Sequence, residues 1–280
     1  MPPLVATLAT NQSYQDLKIF LTSLSLWYTL ETAPTVYLFC DAEIMTKVLA
    51  DKYPIYILFN ECLDDYSGKN RTEMEAVKRP GNKTLWYEFQ MEKLNLLDWV
   101  FSADPELANK EGVFFLDADL CFFGKLPEIP NNATVALSPH MIRERDENRF
   151  GKYNGGCLWM RTHTAVQAWR EACPKSRFHE QAALECFDEP KWLNLTYYFP
   201  VQMNYGWWRM YQGRESASEL QSKWRNTNGK ITVENRPLIS VHTHFFNPLD
   251  MTTRNFNEFV IKFVKESHEA NVLLELLKFE

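Results

Sequence analysis

A chain of 280 residues is long enough to bury a large core, and with 45% hydrophobic and 24% charged residues it is neither disordered nor a disulfide miniprotein. Lys and Arg number 30 against 36 Asp and Glu, and the resulting charge of −6 removes the electrostatic footprint of a general nucleic-acid binder. Six cysteines without a C-x-x-C pair point to buried thiols and a reducing, cytoplasmic setting.

The opening run Leu4-Val5-Ala6-Thr7-Leu8-Ala9 reads as a strand, without the basic flank of a signal peptide. Residues 14–30 carry Leu17, Phe20, Leu21, Leu24 and Trp27 at helical spacing. Residues 35–39 (TVYLF) read as a second strand, 43–50 as a helix and 55–59 as a third strand. This alternation predicts an α/β fold, a Rossmann-like mostly parallel sheet flanked by helices, with ligands gathering beyond the carboxyl ends of the strands. Residues 60–83 lose the pattern and read as a lid or binding loop. A helix is expected over 86–101, then a linker ending at Gly112 and a central strand over 113–116. Strands follow over 134–137 and 156–160, helices over 164–172 and 181–187, a strand over 238–241 and an amphipathic helical stretch over 256–279. No apolar run is long enough for a transmembrane segment.

Two acids, Asp117 and Asp119, follow directly on the apolar run Val113-Phe114-Phe115-Leu116. In an extended chain, residues i and i+2 project to one side, so both carboxylates can face one cation. A third ligand stands at the end of a later strand, His242 or His244. Two oxygens and one imidazole suit Mn2+ or Mg2+ better than a structural zinc, and so sparse a protein shell is normally completed by substrate phosphates.

Val5-Ala6-Thr7-Leu8-Ala9-Thr10-Asn11-Gln12-Ser13-Tyr14, Lys78-Arg79-Pro80, Glu92-Lys93-Leu94 with Trp99, Phe115-Leu116-Asp117-Ala118-Asp119, Tyr153-Asn154-Gly155-Gly156, Glu180-Gln181 and Val241-His242 occur in the order and rough spacing of one family. Over about residues 4–245 the chain resembles the glycogenin-like retaining glycosyltransferases, family 8, of GT-A fold. The resemblance implies a nucleotide-sugar donor, a UDP-sugar, and a carbohydrate or glycosylated acceptor. It implies that Thr7, Leu8, Ala9, Thr10, Asn11 and Tyr14 hold base and ribose, and that Arg79 and Lys93 meet the diphosphate and sugar. It makes Asp117, Asp119 and His242 the metal ligands, with Ala118 between them. Asn154 and Gly155 become a turn that binds the donor sugar, and Glu180 and Gln181 the pair at the reaction centre. Bland readings stand beside these: a Tyr14 packed on its own helix, a solvated basic pair, and an ordinary Asn-Gly turn.

The chain departs from the family in three ways. It has Glu180-Gln181 where Asp-Gln is usual, and Thr243-His244-Phe245-Phe246 where Gly-x-x-Lys is usual, so the family lysine is missing and His244 or Arg79 is left to serve. No tyrosine can be assigned as a self-glycosylation site. Residues 197–209 suit either an acceptor-sugar platform or a core hairpin, and the C-terminal helix suits packing or dimer contact better than a membrane surface. The expected organisation is one transferase domain over 1–250, with a nucleotide half to about 120 and an acceptor half beyond it, and a helical extension over 251–280. Inversion with Glu180 as base, a sugar-nucleotide-binding protein without activity, and a nucleotidyltransferase are the alternatives. The last lacks its Gly-rich basic loop, since Thr10-Asn11-Gln12-Ser13 has neither glycine nor cation.

Overall fold

The computed structural model describes residues 2–246 and 248–277. Strand β1 (Leu4–Ala9) leads through helix α1 (Tyr14–Ser25) to β2 (Thr35–Cys40), α2 (Ala42–Asp51) and β3 (Tyr56–Glu61). Helix α3 (Leu85–Ala103) precedes β4 (Val113–Leu116) and β5 (Leu120–Phe122). The second half supplies β6 (Val135–Pro139), β7 (Tyr153–Met160), α4 (His163–Ala172), β8 (Thr196–Tyr198), β9 (Ser240–His242) and α5 (Met251–Glu266).

Seven strands form one sheet in the order β8-β6-β7-β4-β1-β2-β3, and β7 alone runs against the others. This is the mostly parallel α/β sheet that the alternation predicts. Strand β1 is buried throughout because both faces are covered. Leu4 and Ala6 pack with Leu94 and Leu97 of α3 and Trp169 of α4, while Val5 and Ala9 pack with Leu17, Phe20 and Leu24 of α1. A third cluster joins Phe256, Val260 and Val264 of α5 to Tyr205, Trp224 and Val233, so the apolar face of the C-terminal helix is a packing face.

Residues 60–83 are not an open loop. Asn70 and Glu73 form a capping box that starts the helix Arg71–Ala76, a short hairpin pairs Lys78–Arg79 with Lys83–Thr84, and Leu63, Tyr66 and Met74 anchor the segment in the core. The expected linker before Gly112 is a helix, Pro105–Glu111, capped by the Asp104 carboxylate on the Leu107 amide. Gly112 has φ +72°, and a Cβ there would fall 2.1 Å from the Trp159 ring. The predicted helix over 14–30 ends at Ser25, and α5 ends at Glu266 before a 3-10 turn over Asn271–Glu275. Phe279, placed in the last helical stretch by the sequence, lies outside the described residues. Residues 197–209 form no hairpin: Thr196–Tyr198 and Tyr205–Gly206 pair with other strands, Phe199, Tyr205 and Trp208 turn inward, and Tyr198 stays exposed. Cys40, Cys121, Cys157 and Cys173 are buried free thiols, and Cys62 is an exposed one. Among the described residues, no helix is long and apolar enough to cross a membrane.

Candidate metal and donor site

Strand β4 ends at Leu116, and the chain turns at once into β5, with the Asp117 amide donating to the Gly156 carbonyl (2.8 Å) and the Leu120 amide to the Asp117 carbonyl (3.3 Å). Strand β5 pairs antiparallel with β9, which sets His242 opposite Leu120, and the Thr243 amide donates to the Asp119 carbonyl. This pairing, between strands more than a hundred residues apart in sequence, delivers the histidine to the acids. One ligand atom from each of Asp117, Asp119 and His242 lies within 4.8 Å of the others. His242 Nε2 stands 3.0 Å from Asp119 Oδ1 and 4.0 Å from Asp117 Oδ2, while Nδ1 is 3.1 Å from Asn204 Oδ1. A Cβ on Gly156 would fall 2.1 Å from Asp117 Oδ2 and 2.7 Å from His242 Cε1, so only glycine lets the strand pass beneath the cluster.

Behind the acids, Lys93 of α3 is buried with Nζ 3.3 Å from Asp117 Oδ1, 3.0 Å from Glu180 Oε1 and 3.4 Å from the Gly155 carbonyl. Burial works against its charge, but Asp117 and Glu180 outweigh that and hold its pKa above the ordinary lysine value. Gln181 Oε1 accepts from the Gly155 amide (3.1 Å), and its Nε2 donates to the Phe150 carbonyl (2.8 Å). Asn154 and Gly155 lie inside β7 and make no turn, which corrects the expectation for that dipeptide. A Cβ at Gly155 would approach Glu180 Oε1 to 2.9 Å, so these glycines serve close approach instead of chain reversal.

His244 does not point away from the cluster. Its Nε2 is 3.3 Å from Asp119 Oδ2 and its Nδ1 3.4 Å from Asp16 Oδ2. Burial lowers its pKa, but Asp119 and Asp16 more than reverse this and push it up to about 9. Asp119 is held well below the usual carboxylate range, since His242 and His244 overcome the opposing effect of burial. Asp16 is pushed up, chiefly by burial, and its Oδ1 has no hydrogen-bond partner.

Thr7, Leu8, Ala9 and Thr10 are buried at the carboxyl end of β1, beside β4. Asn11 donates its amide to Asp41 Oδ2 (2.8 Å) and accepts from Lys47 Nζ (2.6 Å). The Tyr14 hydroxyl donates to Asp51, and Lys47 lies over the ring at 5.0 Å. Arg79 pairs with Glu88 at 2.8 Å, both partly exposed. The structure thus gathers Lys93, Asp117, Ala118, Asp119, Asn154, Gly155, Glu180, Gln181 and His242 into one cluster, with residues 7–14 on the neighbouring strand end and Arg79 paired with Glu88. Asp16, Asp41, His140 and Asn204 also shape this region. Of these, only Asn204 falls in a stretch that the sequence marks, residues 197–209. A capping signal marks Asp41, which accepts from the Ile44 amide at 2.8 Å.

The cluster fits a hard divalent cation. The carboxylates of Asp117, Asp119 and Glu180 crowd round the one lysine, Lys93, and the ligand atoms are two carboxylate oxygens and one imidazole nitrogen.

No protein-family model matches the chain, and no curated protein matches it in sequence. Solved structures do share its architecture. The galactosyltransferase LgtC in complex with donor and acceptor sugar analogs is 12% identical, over 92% of this chain and 94% of that one, with a TM-score of 0.54. An active-site mutant of LgtC is 11% identical, over 92% and 95%, with a TM-score of 0.55. The fold is GT-A. The glycosyltransferase GlyE of Streptococcus pneumoniae is 14% identical over 86% of this chain and 54% of that one, with a TM-score of 0.50. The GT-A sheet puts the strand ends of β1 and β4 side by side, which is where residues 7–14 and the acid cluster stand.

Proposed function

We propose that this chain is a metal-dependent glycosyltransferase that moves a hexose from a nucleotide diphosphate sugar, a UDP-sugar, to a carbohydrate or glycosylated acceptor with retention of configuration. The observation that carries this reading is the cluster of Asp117, Asp119 and His242 at the carboxyl end of a central strand of a GT-A sheet. LgtC, the neighbour with sugar analogs bound, supports a sugar-nucleotide donor and a sugar acceptor by analogy of fold alone.

Asp117, Asp119 and His242 would hold a Mn2+ or Mg2+ ion, which would supply positive charge against the leaving diphosphate. Lys93 fixes the Asp117 carboxylate and ties it to Glu180, so both acids keep one geometry. Gln181, held by Phe150 and Gly155, presents a neutral amide beside Glu180. His244 takes the place of the missing lysine as a cation beside Asp119. Residues 7–14 serve the nucleotide, and the division into a nucleotide half to about residue 120, an acceptor half to 250 and a helical extension is part of the same reading. So is a reducing, cytoplasmic setting, supported by the free thiols.

The test is release of nucleoside diphosphate from a panel of nucleotide sugars, with and without an acceptor panel, in Mn2+, Mg2+ or chelator. Turnover of one donor that disappears in chelator is expected. Donor binding without hydrolysis or transfer would make the chain a binding protein.

A further inference from the structure

The orientation of His242 is written by a buried chain of side chains whose donors and acceptors admit one assignment. It starts at the Gly151 carbonyl, which can only accept, so His140 Nδ1 (2.8 Å away) carries the hydrogen. Burial pushes the His140 pKa down to about 4, so the ring is neutral and Nε2 is left as an acceptor. Asn154 Nδ2 faces that nitrogen at 3.4 Å, which turns Asn154 Oδ1 the other way. That oxygen accepts from the Gly156 amide (3.1 Å) and from Asn204 Nδ2 (3.0 Å). The second hydrogen of the Asn204 amide goes to Ser138 Oγ at 2.9 Å. Asn204 Oδ1 is therefore the atom that meets His242 Nδ1. The Trp208 ring is packed against both imidazoles, with centroids 5.6 Å from His140 and 5.0 Å from His242.

We propose that Asn204, its amide direction set by Asn154 and His140, is the positioning residue that keeps a hydrogen on His242 Nδ1 and so leaves Nε2, the nitrogen that faces Asp117 and Asp119, as the one that gives up its proton to bind a metal. Asn204 is completely buried, touches neither acid, and acts only through the histidine. A histidine ligand whose second nitrogen lacks a fixed acceptor divides itself between tautomers and ring orientations, and metal affinity falls accordingly. The proposal rests on the metal reading given above.

The test is Mn2+ titration of the full chain by calorimetry, with the ring 15N shifts of His242 read in the Mg2+-loaded protein. Asn204→Leu removes both the acceptor and the donors, whereas Asn204→Asp keeps an oxygen facing Nδ1. The Leu variant should bind Mn2+ about 10- to 100-fold more weakly and show mixed His242 tautomers, while the Asp variant stays within roughly three-fold of wild type with Nδ1 protonated. If the Leu variant fails to fold, Asn204→Ser, which leaves room for water, takes its place against the Asp variant. Wild-type affinity in a folded Leu or Ser variant overturns the proposal, and so does equal weakening by Asp with unchanged ring shifts, which would mark Asn204 as packing alone. Failure of wild-type protein to bind Mn2+ overturns the metal reading itself and this inference with it.

Discussion

Lys93 and Glu180 form an ion pair of 3.0 Å in which the two side chains are only 6% and 3% exposed, and the same ammonium lies 3.3 Å from Asp117. One lysine thus ties the candidate metal site to the Glu-Gln pair. Lys93→Met leaves two acids without their counter-charge and should cost about 3–5 kcal/mol of stability. Adding Glu180→Gln removes one of the stranded charges and should restore a good part of the loss. Urea unfolding of the two single variants and the double variant reads the coupling, and strictly additive losses would show that the pair does not act as a unit.

Gly156→Ala should damage the site more than the fold. Its Cβ would stand 2.1 Å from Asp117 Oδ2 and 2.6 Å from Asp117 Cγ, so the carboxylate must swing away from His242. Mn2+ affinity should fall by at least about ten-fold. Gly124→Ala is the control, since its Cβ meets nothing nearer than the Leu238 carbonyl at 3.6 Å. Calorimetric titration of both variants checks this, and equal affinities would contradict the close approach.

Asp119→Asn removes one carboxylate from the cluster and should weaken Mn2+ binding and turnover strongly while leaving the far-ultraviolet circular dichroism unchanged. His242→Ala should follow it. His244→Ala should be milder, because His244 faces Asp16 and Asp119 whereas the three-ligand cluster contains His242. The order of metal affinities among the three variants decides which histidine is the ligand.

The acids were readable in the sequence because their relation is local: a buried four-residue run followed by i, i+2 carboxylates. The histidine was not readable to the same degree. His242 and His244 both follow an apolar strand, and what separates them is the pairing of β5 with β9 and the Asn204 oxygen, neither of which has a local trace. Asn154-Gly155 misled for a physical reason, since glycine marks close approach as well as turns. Here the approaching groups are Glu180, to Gly155, and Asp117, to the neighbouring Gly156. Other elements carried a signal that helical periodicity passes over. Asn228-Gly229, both at positive φ, turns the hairpin Trp224–Thr227 into Lys230–Val233, and Asp104-Pro105 opens a helix.

His140 should make the protein acid-labile. Its folded-state pKa of about 4 lies below the ordinary value of 6.5, so the unfolded chain takes the proton first. The stability due to the neutral ring is therefore complete above pH 6.5 and is lost as pH falls toward 4, a change on the order of 3 kcal/mol. Denaturant unfolding across this window should show the loss, and His140→Asn should flatten it. An unchanged slope in that variant would place the acid sensitivity elsewhere.

Stereochemistry gives the last prediction, and the burial of Glu180 bears on it directly. An inverting enzyme needs a carboxylate that receives the acceptor's proton as attack develops, and losing it costs roughly 10²- to 10⁴-fold. Glu180 is 2% exposed and has Oε1 on the Lys93 ammonium, so it is placed to hold a neighbour and not to meet an incoming hydroxyl. In a retaining reaction on one face of the sugar, the departing phosphate oxygen serves as the base. Glu180→Gln should then lower turnover by less than about 10²-fold, with Gln181→Ala slowing the chemical step as well. Proton NMR of the product from a defined α-linked donor on a stable acceptor should show an α-linkage. A β-linked product would overturn retention, and a loss beyond that range in Glu180→Gln would then assign the base to Glu180, while leaving the Asp117, Asp119 and His242 cluster as the proposed metal site.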